Sequence, residues 1–201
     1  MRPEINQCTV LLKEYFTPTS IIEIGSRDGH DAHDICQFFN IDPQNCTIVE
    51  AHPELYKIIC ETYPQYTVHN FAASNRNGTI EFRAGIIGHE HNVGVSSLMI
   101  HKLYTHNHEK VQVPMKRMDL IGIDFDLLKL DVEGHAYEVL EGFGDELDSI
   151  KAIAVETEEI EIWEGQKTHD QIQTFLESKG FKLVDKQRAW ELQFDCLFIK
   201  E

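Results

Sequence analysis

The chain has 201 residues, of which 42% are hydrophobic and 26% charged, enough for a full globular core, and no apolar run is long enough to cross a bilayer. Its formal net charge is −16, from 18 Lys plus Arg against 34 Asp plus Glu. So acidic a surface repels phosphate backbones, which disfavours nucleic acid and favours a small molecule, a sugar or a neutral lipid headgroup as partner. The five cysteines (Cys8, Cys36, Cys46, Cys60, Cys196) are odd in number, scattered and without a CxxC pair. They read as reduced core thiols of a cytoplasmic protein. No repeat, low-complexity segment or Pro/Gly/Ser linker divides the chain, so a single domain over residues 1–201 is expected, and oligomeric state is silent in the sequence.

Residues 1–19 open with MRPEINQCTVLLKEYF, expected to be an amphipathic helix with Pro3 in its first turn. Glu4, Lys13 and Glu14, with no small-residue cleavage site, argue against a signal peptide. Next comes IIEIGSRDG, Ile21 to Gly29. Ile21, Ile22 and Ile24 form a short β-branched run that reads as a buried parallel strand. The run breaks at Gly25 and Gly29, and Ala32, Ile35, Cys36 and Phe39 then recur at helical spacing. A strand, a glycine turn and a helix place that turn at the carboxyl edge of a sheet, where open α/β sheets bind ligands. The glycines allow close backbone approach, and the helix start offers free N–H groups.

CTIVE is a second strand ending at Glu50. An acid at that position accepts from both vicinal hydroxyls of a ribose in nucleotide-binding α/β folds. The bland alternative is a solvated strand-end carboxylate. Pro53 opens a helix that is expected to bury Leu55, Ile58, Ile59 and Thr62 before Pro64 stops it. Residues 66–74, YTVHNFAAS, read as one strand, with Asn77-Gly78 as a hairpin turn into the alternating TIEFR.

Residues 84–110 are irregular, an insert or lid, and hold His89, His91, His101, His106 and His108. No zinc-type spacing follows GHEH, so a solvated or substrate-lid loop is preferred over a metal site. VQVPMKRMDL, 111–120, returns to strand alternation. Asp126 to Phe143 then gives another buried strand, Leu127, Leu128, Leu130 and Val132, with Asp131, Glu133 and Gly134 at its end. A helix burying Ala136, Val139, Leu140 and Phe143 follows. Two carboxylates at the end of a central strand are costly to bury unless they bind something. Residues 150–158 are a strand that brings Glu156 to the same edge, and Glu158, Glu159, Glu161 and Glu164 read as a solvated run. Thr168 and Gln171 fit a capping box for a helix stopped by Gly180. FKLVDK and LQFDCLFIK, with no helix between them, must pair as a hairpin, so the last strand runs antiparallel to the rest.

This order of elements resembles the S-adenosylmethionine-dependent methyltransferase fold more than the dehydrogenase Rossmann fold. The turn lacks G-x-G-x-x-G spacing, and no Tyr-x-x-x-Lys pair is present. More narrowly, EIGSRDG, VEAHPE, NFAASNRNGTIEF, Ser96 to Leu98, VPMKRMDL and above all LLKLDVEGHAYEVLEGF resemble the FkbM family of methyltransferases, from about Ser20 onward. The resemblance implies a Rossmann-like class I methyltransferase fold, with a mostly parallel central sheet, helices on both faces and a C-terminal antiparallel β-hairpin. It implies S-adenosylmethionine as cofactor and O-methylation of a sugar, glycolipid or natural-product hydroxyl.

It also implies roles for residues. Glu23, Gly25 and Gly29, with Ser26, Arg27 and Asp28 between them, match the motif around the methionine part of the cofactor. Glu50, with Ala51 beside it, matches the ribose acid, and Ala72 and Ala73 lie where the family turns beside the adenine. Asp131 and Glu133 match the D-V-E-G motif. Two positions depart from the family pattern. The first loop has Ser-Arg-Asp where relatives commonly have Ala-Asn, and His135-Ala136 replaces a small residue followed by Glu.

His135 is therefore nominated as the base that takes the acceptor's proton, beside Asp131 and Glu133. A plain exposed residue of the first helical turn is the competing reading. No metal is expected, and a divalent ion on Asp131 and Glu156 is the fallback. Two rival functions are a cofactor-binding module without catalysis and a nicotinamide-dependent oxidoreductase. The DPPY-type and Pro-Cys motifs of DNA base methyltransferases are absent.

Overall fold

The computed structural model of the chain describes residues 7–87, 96–103, 107–122 and 124–201. Pro3, His89, His91 and His106 lie outside them. Helix α1 is Gln7–Leu11, prolonged by a 3-10 turn over Leu12–Glu14, and it buries Cys8 and Leu12. Strand β1 (Ile21–Ile24), α2 (His30–Phe39), β2 (Cys46–Val49), α3 (Pro53–Thr62) and β3 (Thr67–His69) form two successive βαβ crossovers between parallel strands. Strands β4 (Ala72–Ser74), β5 (Gly78–Gly85) and β6 (His108–Arg117) follow. The chain then runs through β7 (Leu127–Leu130), α4 (Ala136–Phe143), β8 (Ala152–Glu158), α5 (His169–Ser178), β9 (Phe181–Arg188) and β10 (Gln193–Lys200).

The main sheet has the order β3-β2-β1-β7-β8-β10-β9. Strand β1 is parallel to β2 and to β7, and β7 to β8, while β10 is antiparallel to both β8 and β9. Alternation along the strands divides two cores. Ile22, Ile24, Leu128 and Leu130 pack with α4, and Ile21 and Leu127 pack with α2 on the other face. Chain order reverses between β1 and β7, so their two following loops open a crevice at the carboxyl edge. This is the Rossmann-like methyltransferase fold that the resemblance implies.

Four expectations need correction. The strand expected over 66–74 is two strands in different sheets. Asn70 Nδ2 donates to the carbonyls of Glu50 and Ala51, at 2.8 and 3.1 Å, and so pulls the chain across the end of β2. Strand β4 then joins a second sheet of order β4-β6-β5. Asn77-Gly78 accordingly joins two strands that do not pair. Strand β6 lies between them, parallel to β4 and antiparallel to β5, and Asn77 Oδ1 accepts from the Arg117 N–H at 2.9 Å. On α3, Leu55 and Ile59 are buried, but Ile58 is 40% exposed and Thr62 is exposed, so the buried stripe is narrower than expected. Glu158 is 2% exposed, the last residue of β8 rather than part of a solvated run, whereas Glu159, Glu161 and Glu164 are exposed.

Candidate functional site

The turn after β1 is bound on both sides. The Gly25 N–H donates to the Val49 carbonyl and the Asp131 N–H to the Ile24 carbonyl, both at 3.0 Å. Gly25, Arg27 and Gly29 all have positive φ, at 81°, 57° and 78°. A Cβ on Gly25 would stand 1.7 Å from the Asp131 carbonyl oxygen, so only glycine fits there. Glu23 is fully buried beneath the turn. Its Oε2 accepts from Ser26 Oγ at 2.5 Å and from the Ala32 N–H at 3.3 Å, and Ser26 Oγ accepts from the Gly29 N–H. Burial pushes the Glu23 carboxyl up to about 7, with Lys129 pulling the other way. Glu23 and Gly29 thus brace the turn, while Gly25, Ser26, Arg27 and Asp28 face a cavity.

That cavity holds about 530 Å³, within the usual range for a ligand site. Glu50 stands at its rim, 5% exposed. Its Oε2 accepts from the Arg27 N–H at 2.8 Å and its Oε1 from the His52 N–H at 2.7 Å. Burial raises its pKa, against the pull of those two N–H groups. Each oxygen keeps a second lone pair, so a fixed carboxylate with free acceptor capacity faces the cavity. Ala51 lies beside it. His52 Nδ1 accepts from the Glu54 N–H at 3.2 Å, so Nε2 carries the proton and donates to the Gly85 carbonyl at 2.9 Å. That bond ties the end of β5 to the start of α3. Ala72 and Ala73 line the cavity, together with Phe71, Phe82 and Leu98, which give it an apolar wall.

The opposite edge is acidic. One oxygen each from Asp131, Glu133 and Glu156 lies within 4.8 Å of the others, and all three residues line the cavity. Burial first, then mutual repulsion, pushes Glu156 up to about 11 and Glu158 up to about 8, and holds Glu133 well above the carboxylate range. As an all-oxygen set the trio has the chemistry to hold a hard divalent cation, and it contains the fallback pair Asp131 and Glu156. The loop that carries Glu133 is tightly held. Glu133 has φ 47°, its carbonyl accepts from Ser97 Oγ at 2.7 Å, and a Cβ on Gly134 would meet the Trp163 ring at 2.6 Å.

His135 departs from both readings of the sequence. It caps the start of α4 but is only 9% exposed. Its Nε2 lies 3.0 Å from Ser74 Oγ, and its Nδ1 faces Glu138 Oε2 at 3.6 Å. Burial lowers its pKa to about 4, with Arg76 adding to the effect. His135 nonetheless lines the cavity, its Nε2 is paired with Ser74 Oγ, its Nδ1 is buried without a hydrogen-bond partner, and the ring is weakly basic. Sequence reasoning passed over Lys129 and Asp31, which line the same cavity. A lysine inside the apolar run LLKL was the available signal. Phe71, Phe82 and Leu98 lie in stretches that carry the family resemblance but were given no role of their own.

A parallel sheet with β10 slotted between β8 and β9, and a crevice between the ends of β1 and β7, defines a nucleotide-cofactor α/β protein of the methyltransferase type. The chain belongs to the methyltransferase FkbM domain family, whose model matches residues 23–183. Over 66 residues it is 39% identical to methyltransferase sdnD of Sordaria araneosa, a match covering 32% of this chain and 24% of that one. It resembles the crystal structure of methyltransferase FkbM from Methylobacillus flagellatus with a TM-score of 0.62 at 10% identity, covering 90% of this chain and 43% of that one. Magnesium protoporphyrin IX methyltransferase of Synechocystis, solved with bound S-adenosylmethionine, matches with a TM-score of 0.54 at 10% identity, covering 97% of this chain and 76% of that one. At such identities the likeness is one of fold. The chain spans less than half of the Methylobacillus protein and about a quarter of the Sordaria protein. Among the described residues, no helix is long and apolar enough to cross a membrane.

Proposed function

We propose that the chain transfers a methyl group from S-adenosylmethionine to a hydroxyl of a sugar, glycolipid or natural product. The observation that carries this reading is the Glu50 carboxylate, fixed by Arg27 and His52 at the rim of a cavity floored by the glycine turn. Its free lone pairs suit the two ribose hydroxyls, and Ala72, Ala73, Phe71 and Phe82 offer a flat apolar wall for an adenine. When bound, the cofactor supplies the methyl as an activated sulfonium. The residues then align the acceptor and take up its proton.

Asp131 and Glu133 are assigned that proton. They stand at the end of the central strand and line the cavity. His135 is assigned to holding the 131–135 loop through Ser74. The acidic edge favours a neutral or cationic acceptor over a phosphate. Calorimetric titration with S-adenosylhomocysteine and with NAD tests the reading. Micromolar binding of the first, lost in Glu50→Ala, supports it, and binding of NAD alone overturns it. A screen of hydroxylated acceptors with labelled cofactor then tests the acceptor class.

A further inference from the structure

Outside the cavity, the carboxyl edge carries large apolar side chains that the proposed reaction does not use. Ile100, Leu103 and Ile160 are each about half exposed, and Trp190 is 69% exposed. Backbone bonds gather their segments onto one surface. The Lys102 N–H donates to the Ile162 carbonyl and the Glu164 N–H to the Ile100 carbonyl, both at 2.8 Å, so the 100–103 segment lies against the loop after β8. The Glu159 N–H donates to the Leu192 carbonyl, also at 2.8 Å, and joins that loop to the turn between β9 and β10. Gln193 is the register partner of Glu158, so this turn, with Trp190 in it, projects beyond the carboxyl end of β8. The same segments reach the cavity, because Leu98 and Glu156 line it just ahead of Ile100 and Ile160 in the chain.

Large apolar side chains gathered at a ligand mouth mark a surface that meets another apolar phase. A tryptophan at the tip of a turn suits the boundary between lipid and water, where its ring is buried and its N–H stays wet. The surrounding charges select the kind of surface. Lys102 pairs with Glu161 at 3.0 Å and Arg188 with Glu159 at 3.6 Å. That leaves the exposed Glu164 and Glu191 in surplus, with Asp131, Glu133 and Glu156 in the mouth behind them. An anionic lipid layer is repelled, and so is a second copy of a chain whose net charge is −16. A zwitterionic layer turns choline cations outward, and these match both the surplus carboxylates and the face of a tryptophan ring.

We propose that this edge docks on the surface of a neutral, choline-headed lipid layer, with Trp190, Ile160, Ile100 and Leu103 entering the headgroup region and the cavity mouth facing the lipid. Docking of this kind needs no membrane-spanning helix. The acceptors that reach the cavity are then those presented at such a surface, a consequence that rests on the methyl-transfer reading above, whereas the docking itself does not.

The chain has two tryptophans. Trp163 is 2% exposed, so a change in emission on adding lipid reports Trp190. Phosphatidylcholine vesicles are expected to shift the emission of the full chain to the blue and to carry the chain down on sedimentation. Trp190→Glu and Ile160→Glu are each expected to reduce co-sedimentation at least about tenfold. Ile58→Glu, exposed on α3, is expected to leave it unchanged. Thermal unfolding checks that every variant is folded. Absence of both the blue shift and co-sedimentation overturns the proposal. So do equal losses in Trp190→Glu and Ile58→Glu, or stronger binding to phosphatidylglycerol vesicles. A lipid-free dimer that Trp190→Glu dissociates also overturns it, by making a second copy the occupant. Titration with S-adenosylhomocysteine runs alongside. Vesicle binding without binding of that ligand supports the docking while the cofactor reading fails, and the reverse overturns the docking alone.

Discussion

The Arg27 N–H donates to Glu50 Oε2 at 2.8 Å, joining the glycine turn after β1 to the end of β2. The same carboxylate that is assigned to the ribose thus also sets the shape of the turn. Glu50→Ala removes two bonds to backbone N–H groups, each charge-assisted. It is expected to weaken S-adenosylhomocysteine about 10- to 100-fold, from roughly 1.5–3 kcal/mol per charged hydrogen bond. Glu50→Gln keeps the size but one oxygen only, and is expected to fall between the two. Titration calorimetry reads both.

Gly25→Ala is expected to destabilise the fold on the order of 3–5 kcal/mol, because the added methyl has backbone rather than a pliant side chain in its way. Chemical denaturation measures it. A loss below about 1 kcal/mol would mean that the loops after β1 and β7 separate easily.

His135 gives a pH dependence. Its folded pKa, about 4, lies below the ordinary 6.5, so between those values the unfolded chain binds more protons. Stability is present above pH 6.5 and is lost as pH falls toward 4, on the order of 3 kcal/mol in all. His135→Gln is expected to flatten that limb when compared with the wild type under the same conditions. A general base typically contributes about 10²- to 10⁴-fold. A fall in kcat of less than about tenfold in the variant would agree with a positioning role, and a larger fall with an altered pH–rate profile would restore the base assignment.

Glu156 works with the opposite sign. Its folded pKa is raised from 4.5 to about 11, so its contribution is present at low pH and is lost as pH rises through that window. Glu156→Gln puts a neutral group where folding otherwise requires a carboxyl to take up a proton. At pH 8 it is expected to stabilise the chain on the order of 1–3 kcal/mol, with little change at pH 5. Thermal melts at the two pH values decide it.

Much of this was legible from local pattern. Ala32, Ile35, Cys36 and Phe39 are the buried stripe of α2, and Ala136, Val139, Leu140 and Phe143 that of α4, because helical burial follows spacing. Gly25, Glu50, Ala72, Asp131 and Glu133 converge on one cavity because the fold carries strand ends to one edge. What escaped was set by long-range partners. Asn77-Gly78 is a sound turn, yet β6, thirty residues on, takes the place a hairpin partner would fill. The environment of His135 depends on Ser74, which lies 61 residues before it. Neither spacing nor residue type carries such information.

The insertion of β10 between β8 and β9 sets the order in which the sheet can close. Strand β9 is synthesised first but has no neighbour on the sheet until the later strand slides in beside it. Until then, β8 and β9 both present open hydrogen-bonding rims, and β8 carries Glu156 and Glu158. Asp131, Glu133 and Glu156 come together once β7 and β8 pair, so a nascent or partly unfolded chain stalled before β10 docks already carries the acidic edge but leaves exposed the strand edges most prone to self-association.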